Sequence, residues 1–416
     1  MKSHAETIEC AERMVEFAST HLQEQATRKI SAVPTRSGKV AHVLYVIDQI
    51  CQLGGAERTL LEIVRRLPGD RFRCSIVTFK VDPYLEDLKQ LPCPLHVLSL
   101  QRTYGMQAAK MAFHLAQLIR RENVSIVHTF FETSDLWAAP IAKVSRCPVL
   151  ISSRRDMGIL RTRKHDLAYG IVNRLFDCVI AVSDEVRSYC LSHDSLCPER
   201  VQTLYNGVDL DELEVKVADG DARFSLGLSS DVPIISTVAN IRYVKGIDVL
   251  LHAAARVCRE FPKAVFLVVG SVLEPETYAE LERTVQLLGL KNNVRFVGSL
   301  SNPYPVLRAS DVFCLPSRSE GFSNALVEAM GCSLPCVATR VGGSGEALAE
   351  GASGFLVPSE DDETMADRIL SLLRNPQMAR RMGKTAREAV EKRFSIAAMM
   401  SRLVSLYDEQ LASKNV

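Results

Sequence analysis

The sequence predicts an α/β protein built from two doubly wound domains, each with a largely parallel sheet. From Val40 onward, short runs rich in β-branched residues alternate with stretches in which apolar residues recur at i, i+3 and i+4. This alternation is typical of βαβ units. A second series of strands begins after the acidic, weakly apolar stretch Asp209–Asp221, so the 416 residues are expected to form two such domains.

Seven strands are predicted in the first series and six in the second. The first series is Val43–Ile47, Arg73–Phe79, His96–Leu98, Ser125–His128, Val149–Ser152, Cys178–Val182 and Val201–Leu204. The second is Ile234–Ala239, Val265–Val269, Val294–Val297, Val312–Leu315, Pro335–Ala338 and Gly354–Val357. Helices are predicted between the strands, for example at Ala56–Leu67 and Gln107–Glu122, and the chain is predicted to be helical from Asp361 to its end.

Residues 1–38 stand apart as an N-terminal extension that contains one amphipathic helix and the start of a linker, Ser31–Lys39. Two interpretations of this helix stay open: it packs on the body or frays, or it meets a partner or a membrane surface. The domains are expected at residues 39–210 and 211–395, with a C-terminal helix at 396–416 that completes the first. The apolar residues that define the N-terminal helix are Ile8, Ala11, Val15, Ala18 and Leu22.

The composition excludes several classes of protein. Apolar residues make up 47% of the chain and charged residues 24%, which is ordinary for a globular enzyme and excludes disorder as its main character. The net charge of +1 argues against bulk nucleic-acid binding. No apolar run approaches the length of a membrane span, and the N-terminus lacks the apolar core of a signal peptide. We therefore expect a cytoplasmic protein, free or at the inner face of the membrane.

The twelve cysteines are spread singly and form no C-x-x-C pair, so free thiols in a reducing compartment are expected rather than a disulfide framework. The Cys/His spacing does not favour zinc, and we predict no metal site. Asp209-Leu210-Asp211 formally matches the metal-binding D-x-D pattern. It follows Asn-Gly at the expected crossing between the domains, and we interpret it as structural.

In open parallel sheets, ligands bind beyond the carboxyl ends of the strands, so unusual residues after strands are the candidates for a site. Gly54 and Gly55 follow the first strand and open a helix, where a ligand could approach the backbone closely. An ordinary strand-to-helix turn is the alternative, and neither G-x-G-x-x-G nor a Walker A loop is present. His128 follows Ser125–Val127, where it could contact a substrate hydroxyl or be a structural histidine.

Two cations follow the first strand of the second series. Asn240, Arg242, Lys245 and Gly246 come after Ile234–Ala239, directly before a predicted helix. An arginine fork, a lysine point charge and a helix N-terminus together favour a doubly charged group such as pyrophosphate. Solvated surface charges in a turn are the alternative.

The most specific stretch follows the strand Val312–Leu315. Glu320 lies in a loop and Glu328 lies about two turns into a helix that opens near Ser323. The two carboxylates are therefore expected on the order of 10 Å apart. This separation suits the two hydroxyl-bearing ends of an elongated ligand, with the intervening amides directed at its negative middle.

These motifs, together with Val341-Gly342-Gly343-Ser344-Gly345-Glu346, resemble glycosyltransferase family 4. The resemblance extends from about Lys39 to Phe394 and is most specific in the C-terminal half. It implies the GT-B arrangement, in which two Rossmann-like domains face each other, and a retaining enzyme that uses a nucleotide sugar. Retention is implied by the resemblance alone. No residue is named as a covalent nucleophile, and front-face transfer is the default hypothesis.

The resemblance also implies roles for individual residues. Arg242 and Lys245 would hold the donor pyrophosphate, Glu320 the transferred sugar and Glu328 the ribose. His128 would lie near the sugar, Phe296 would flank the base, and Gly54 and Gly55 would close over the phosphates. Gly270 is a departure, because a second glycine that often follows it in the family is missing here. The remaining donor-binding positions are Asn240, Gly321 and the amides of Phe322, Ser323, Asn324, Ala325 and Leu326.

The expected function is transfer of a hexose-type sugar from a nucleotide diphosphate sugar, with UDP or GDP as the nucleotide, to a sugar, lipid-linked or small-molecule acceptor. No metal or further cofactor is expected. A nucleotide-sugar epimerase of the same fold and a non-catalytic sugar-nucleotide-binding protein remain alternatives. A basic cluster on the first domain is either a solvated face or a surface for lipid phosphate; its members are Arg154, Arg155, Arg161, Arg163, Lys164 and Arg174.

Overall fold

The computed structural model describes residues 40–51, 54–82, 85–158, 161–214, 223 and 227–415. The helix predicted within residues 1–38 lies outside these residues, as does most of the predicted crossing between residues 211 and 231.

Two sheets form the framework, and every predicted strand has a counterpart in one of them. The first sheet has the strands β1 Ala41–Ile50, β2 Phe72–Val81, β3 Leu95–Val97, β4 Ile126–Phe130, β5 Val149–Arg154, β6 Cys178–Ala181 and β7 Val201–Thr203. The second has β8 Ile234–Val238, β9 Val265–Val269, β10 Val294–Gly298, β11 Val312–Leu315, β12 Cys336–Thr339 and β13 Gly354–Val357. The main difference is that β1 extends two residues before and three residues beyond the predicted strand.

The strand orders are β3-β2-β1-β4-β5-β6-β7 and β10-β9-β8-β11-β12-β13. In the first sheet, β2 and β4 both run parallel to β1, and β6 runs parallel to β7. In the second sheet, β9 and β11 both run parallel to β8. In each sheet the order reverses beside its first strand, as expected of a doubly wound fold.

Helices connect the strands, and three of them end the chain. The first group is α1 Gly55–Arg66, α2 Met106–Arg121, α3 Glu132–Val144, α4 Arg163–Val172, α5 Asp184–His193 and α6 Leu210–Glu214. The second is α7 Ile247–Glu260, α8 Pro275–Leu287, α9 Tyr304–Ala309, α10 Asn324–Gly331 and α11 Ser344–Ala347. The C-terminal helices are α12 Asp362–Arg374, α13 Pro376–Arg393 and α14 Ile396–Ser413. The helical stretch predicted from Asp361 consists of these three helices; Asn375 separates the first two, and its side chain accepts from the amide of Met378 at 3.0 Å and caps α13.

Helix α7 shows why the predicted periodicity leads to packing against the second sheet. Ile247, Leu250, Leu251, Ala254 and Val257 recur at helical spacing and are all buried in one apolar cluster. That cluster also contains residues of β9, β12 and α12. Burying one such leucine stabilises the fold by about 1.5–3 kcal/mol, so this single face fixes α7 on the sheet.

The described residues form two compact units. One consists of the described residues up to Ser152, which include β1–β4, together with residues 411–415 at the end of α14. The other is Ser153–Gln410. The division falls inside β5, and the second unit contains the whole second sheet. The domain limits predicted at residues 210 and 395 stay a prediction.

Candidate active site

The ends of β8 and β9 are fastened to each other by two of the predicted residues. The side-chain carbonyl of Asn240 accepts from the amide of Ser271 at 3.0 Å. Gly270 lies so close to β8 that a Cβ there would stand 2.1 Å from the carbonyl oxygen of Ala239. Asn240 and Gly270 therefore lie close together at the carboxyl ends of β8 and β9, where both help to hold the two strand ends together.

The turn after β8 is pressed against the loop after β11. Tyr243–Lys245 form a 3-10 turn, and Gly246, with φ of 61°, leads into α7. A Cβ on Gly246 would lie 2.1 Å from the carbonyl oxygen of Pro316. This close approach and the positive φ both require glycine.

Lys245 and Glu320, which are 75 residues apart in the chain, are brought together by this approach. The Lys245 ammonium donates to Oε1 of Glu320 at 2.7 Å, and the Ser317 hydroxyl donates to the same oxygen at 2.7 Å. The Lys245 side chain is 25% exposed and that of Glu320 is 9% exposed. The result is a partly accessible cation beside a nearly buried carboxylate at the ends of two adjacent strands.

Arg242 begins the same turn and is exposed. Its charge acts on Glu274, whose pKa is lowered mainly by the hydrogen bond from the Tyr243 amide and also by Arg242. That amide donates to Glu274 at 2.7 Å. Arg242 therefore lies on the turn that carries Lys245, within electrostatic range of the partly exposed carboxylate of Glu274.

Sequence reasoning assigned no role to Arg318, which clamps the turn in place. Its guanidinium donates to both carboxylate oxygens of Asp248, at 2.8 and 2.6 Å, and to the carbonyl of Tyr243 at 2.6 Å. It also lies 4.0 Å from the centre of the Tyr243 ring. Although burial disfavours the charge of Asp248, the bonds and charge of Arg318 lower the pKa of this carboxyl. The 70-residue separation of the two partners gives no local signal in the sequence.

The loop from Gly321 to Asn324 is anchored by its side chains. A Cβ on Gly321 would lie 2.0 Å from the carbonyl oxygen of Arg155, so no larger residue fits there. The Phe322 ring packs 5.3 Å from that of Tyr205 and 5.4 Å from that of Phe394. The predicted role of this stretch concerned its amides, whereas the phenyl ring is a buried apolar anchor that sets where those amides lie.

A chain of polar side chains reaches the start of α10. Arg155 donates to the side-chain carbonyl of Asn206 at 2.7 Å, and the Asn206 amide donates to Oδ1 of Asn324 at 2.5 Å. No site role was predicted for Asn206, and Arg155 was predicted only as a member of the basic cluster. Their contribution depends on contacts between distant parts of the chain, which one sequence cannot reveal.

Helix α10 carries the remaining residues of the Glu-x7-Glu stretch. The Ser323 hydroxyl caps it by accepting from the amide of Leu326 at 3.3 Å, so this amide already has a partner inside the protein. Ala325 lies in the first turn. Glu328 lies further along the helix, as its spacing predicted, and is buried there. Phe296, in the edge strand β10, packs edge-on against Tyr278 at 5.1 Å and is partly buried.

The predicted residues of the first sheet are placed differently. Gly54 precedes α1 with an extended backbone, and Gly55 is the first residue of that helix. The expectation that His128 follows the end of a strand is wrong, because β4 continues to Phe130. The His128 side chain is 1% exposed, with its ring 5.6 Å from Tyr45 and 4.9 Å from Phe130. Its proposed contact with the sugar stays a prediction.

Asp48, which no prediction singled out, holds the start of α3. Its carboxylate accepts from the amides of Thr133 and Ser134, the latter at 2.7 Å, and from the Ser134 hydroxyl. Burial raises the pKa of Asp48 despite these bonds. Asp48, a polar residue near the end of β1, therefore stabilises the N-terminus of α3.

The predicted basic cluster is partly internal. Arg154 and Arg161 both lie 4.1 Å from the centre of the Tyr169 ring. Arg161 donates to Asp194 at 2.6 Å, and Arg154 donates to Asn173 at 2.7 Å. The side chain of Arg154 is only 4% exposed, so these two arginines do not belong to a solvated face. The exposed members of the cluster are Arg163, Lys164 and Arg174.

The D-x-D stretch has a structural role in this fold. The carboxylate of Asp209 accepts from the amides of Asp211 at 2.9 Å and Glu212 at 3.4 Å, at the start of α6. The described part of the chain contains no group of three His, Cys, Asp or Glu side chains placed to hold a metal ion. None of its helices is both long enough and apolar enough to cross a bilayer.

Comparison with known proteins gives two family matches and a set of relatives. The family model of group 1 glycosyl transferases matches residues 219–389, and that of Glycosyltransferase Family 4 matches residues 53–212. N-acetyl-alpha-D-glucosaminyl L-malate synthase of Bacillus anthracis is 29% identical over 72% of this chain and 79% of its own. UDP-Gal:alpha-D-GlcNAc-diphosphoundecaprenol alpha-1,3-galactosyltransferase of Escherichia coli is 23% identical over 90% of this chain and 98% of its own.

Solved structures show the same fold. Anabaena Alr3699/HepE in complex with UDP superposes with a TM-score of 0.79 at 23% identity, covering 88% of this chain and 100% of that one. WaaG, a glycosyltransferase involved in lipopolysaccharide biosynthesis, gives a TM-score of 0.69 at 16% identity over 86% and 98% of the two chains. The predicted fold class, GT-B with two Rossmann-like parallel-sheet domains, is confirmed.

Proposed function

The chain belongs to glycosyltransferase family 4, and from this premise we propose that it moves a hexose-type sugar from a nucleotide diphosphate sugar to an acceptor hydroxyl with retention of configuration. The chain is a glycosyltransferase; the class of sugar, the donor and the stereochemistry are the proposal.

The observation that carries this proposal is the contact of 2.7 Å between Lys245 and Glu320. It joins the carboxyl ends of β8 and β11, which are neighbours in the second sheet. Ligands of such sheets bind at this edge, beside the strand where the order reverses. The partly exposed ammonium suits a phosphate oxygen, and the carboxylate suits a sugar hydroxyl. Arg242, on the same turn, adds a second cation.

The chemistry needs this pattern because negative charge grows on the departing nucleotide diphosphate as the bond between the anomeric carbon and the phosphate oxygen breaks. Lys245 and Arg242 would stabilise that charge, with no metal ion required for the task. Glu320 would accept a hydrogen bond from the sugar and hold it in place. The acceptor oxygen then bonds to the anomeric carbon on the face that the phosphate leaves, and its proton passes to a phosphate oxygen. A trapped glycosyl-enzyme adduct would contradict this front-face route.

UDP or GDP is the nucleotide we propose, and similar solved structures contain UDP or UDP-glucose. The acceptors named for relatives include L-malate, D-inositol 3-phosphate and a diphosphoundecaprenol-linked sugar. Because these acceptors differ so widely, we keep the proposed class broad: a sugar, a lipid-linked sugar or a small molecule.

We further propose that helix α4 gives the protein a peripheral contact with anionic lipid. Arg163, Lys164 and Arg174 are exposed at its two ends, and Leu167 and Ile171, one turn apart, are 74% and 68% exposed. Each basic residue near such a surface contributes about 1 kcal/mol. Vesicles that contain phosphatidylglycerol should bind the protein less at high salt; absent or salt-insensitive binding contradicts this contact.

A nucleotide-sugar epimerase or a non-catalytic binding protein could use the same cation and carboxylate, and product analysis separates them. An epimerase makes no glycosidic bond, and a binding protein turns nothing over.

The first experiment is a thermal-shift panel with UDP, GDP and ADP sugars. A ligand at one hundred times its Kd stabilises the folded state by about 2.7 kcal/mol, so the matching nucleotide should stand out. With the donor known, Glu320→Ala and Lys245→Ala should fold normally and lose transfer, and NMR of the product gives its anomeric configuration. Turnover retained in both variants would mean that the site lies elsewhere.

A further inference from the structure

Two cysteines outside the site lie near each other at the edge of the first sheet: Cys74 is in β2, and Cys93 is in the bend two residues before β3. Ile76 of β2 is in register with Leu95 of β3, and the Ile76 amide donates to the carbonyl of Pro94 at 2.9 Å. Cys74 lies two residues before Ile76, and Cys93 lies two residues before Leu95. The hydrogen bond from Ile76 to Pro94 holds the segment that contains Cys93 beside the part of β2 that contains Cys74.

The two thiols are in direct contact. Cys93 donates a hydrogen bond to the sulfur of Cys74, which lowers the pKa of Cys74 and raises that of Cys93. Both cysteines are free and partly exposed, and β3 is the edge strand of its sheet. A reagent in solution can therefore reach this pair, and Cys74 is the better nucleophile because its thiolate is the stabilised one.

The backbone spacing already suits a covalent bond. Neighbouring strands lie about 4.8 Å apart, and a disulfide joins Cα atoms separated by about 4.4–6.8 Å. Because the Ile76–Pro94 hydrogen bond and the pairing of Ile76 with Leu95 hold the backbone after Cys93 beside β2, the bridge leaves the pairing of β2 and β3 in place. The buried Cys314 provides a contrast, since burial alone raises its pKa and makes its thiol inert.

We propose that Cys74 and Cys93 form a reversible oxidation site, at which a low-molecular-weight disulfide converts the thiol pair to an intrachain disulfide. The Cys74 thiolate attacks one sulfur of the small disulfide, forms a mixed disulfide and releases one small thiolate. Cys93 then loses its proton and attacks the Cys74 sulfur, which releases the second small thiolate. In total, two protein thiols are oxidised and one small disulfide is reduced to two thiols. The bridge ties the edge strand β3 to β2.

The test uses the full-length protein and oxidised glutathione, with free thiols blocked by a maleimide and peptides mapped by mass spectrometry. A crosslinked peptide pair that contains Cys74 and Cys93 is expected, together with a loss of both from the maleimide-labelled set. Dithiothreitol should restore both thiols. Cys197 is exposed, so its glutathionylation shows in the same sample that the oxidant was active.

Two single variants and a control sharpen the result. Cys93→Ser should stop at the mixed disulfide on Cys74, and Cys74→Ser should leave Cys93 open to the maleimide. Cys258→Ser, which removes a partly buried thiol of the second unit, should crosslink like the wild type. The proposal is overturned if wild-type Cys74 and Cys93 both stay labelled while Cys197 reacts, or if Cys74 is found crosslinked to another cysteine.

Discussion

In each sheet, the helix that follows the first strand begins after a glycine, but the surroundings of the two glycines differ. Gly246 precedes α7 with φ of 61°, and a Cβ there would meet the backbone of Pro316 at 2.1 Å. Gly54 precedes α1 with φ of −78°, and a Cβ there would meet only the end of the Glu57 side chain, at 2.7 Å. The fold itself requires the first glycine, whereas it could accommodate a side chain at the second. A glycine that the fold does not need is the better candidate for close contact with a ligand.

The charged residues near the carboxyl ends of the strands also differ between the two sheets. Beyond β8 and β11, Lys245 and Glu320 neutralise each other and are partly accessible. In the first sheet, Asp48 is partly buried, and its carboxylate accepts from hydroxyl and amide groups of α3. Beyond β8 and β11 an ion pair is left partly accessible, whereas in the first sheet a carboxylate holds the start of a helix.

The largest expected effect is at Lys245. Lys245→Met removes a preorganised cation, so kcat/KM for transfer should fall about 10²–10³-fold with little change in melting temperature. The matched control is Lys263→Met, since Lys263 is 75% exposed and pairs only at the surface with Asp231. An equal loss in the control, or full activity of the Lys245 variant, would show that Lys245 does not stabilise the negative charge of the departing nucleotide diphosphate.

The next effect in size concerns Gly246. Gly246→Ala must both adopt a positive φ and push the Pro316 backbone away, and we expect a loss of about 2–4 kcal/mol in the free energy of unfolding. Gly289→Ala is the control, because Gly289 has φ of 70° but no atom within 4 Å of its Cβ position. The control should lose only about 1–2 kcal/mol, the cost of left-handed backbone. Equal losses in urea unfolding would mean that the Pro316 backbone moves aside at little cost in free energy.

A smaller effect distinguishes the carboxylates by pH. Because burial raises the folded-state pKa of Asp48, its contribution to stability should fall as pH rises from the unfolded pKa to the raised value. The pKa of Asp248 is lowered, so its contribution should fall as pH drops through the folded value. The stability difference between wild type and Asp48→Asn should thus change with pH in the opposite direction to that for Asp248→Asn. Slopes of the same sign in urea unfolding between pH 3 and 6 would contradict this assignment.

The sequence predicts those parts of this molecule that depend on neighbouring residues. Strands and helices follow from local periodicity, as α7 shows. Glu328, eight residues after Glu320, likewise lies inside a helix that the local sequence predicts. Arg318 and Asn206 escaped prediction because their partners are 70 and 118 residues away. His128 was misplaced for a local reason: β4 keeps its extended backbone for two residues beyond the apolar run on which the prediction rested. Pairing across a sheet, and not residue type, decides such ends.

The smallest expected change in stability is at Gly54. Gly54→Ala should cost about 1 kcal/mol, because alanine is a poorer helix cap than glycine while the flexible end of Glu57 can move aside. Transfer should nevertheless fall at least tenfold if a donor phosphate lies against this backbone, since a methyl group would then stand between them. Gly69→Ala, in an exposed turn with nothing within 4 Å, should leave both stability and transfer unchanged. Normal kinetics of the Gly54 variant would mean that Gly54 only precedes a helix and does not contact the donor. The difference between the two sheets would then lie in their charged residues alone.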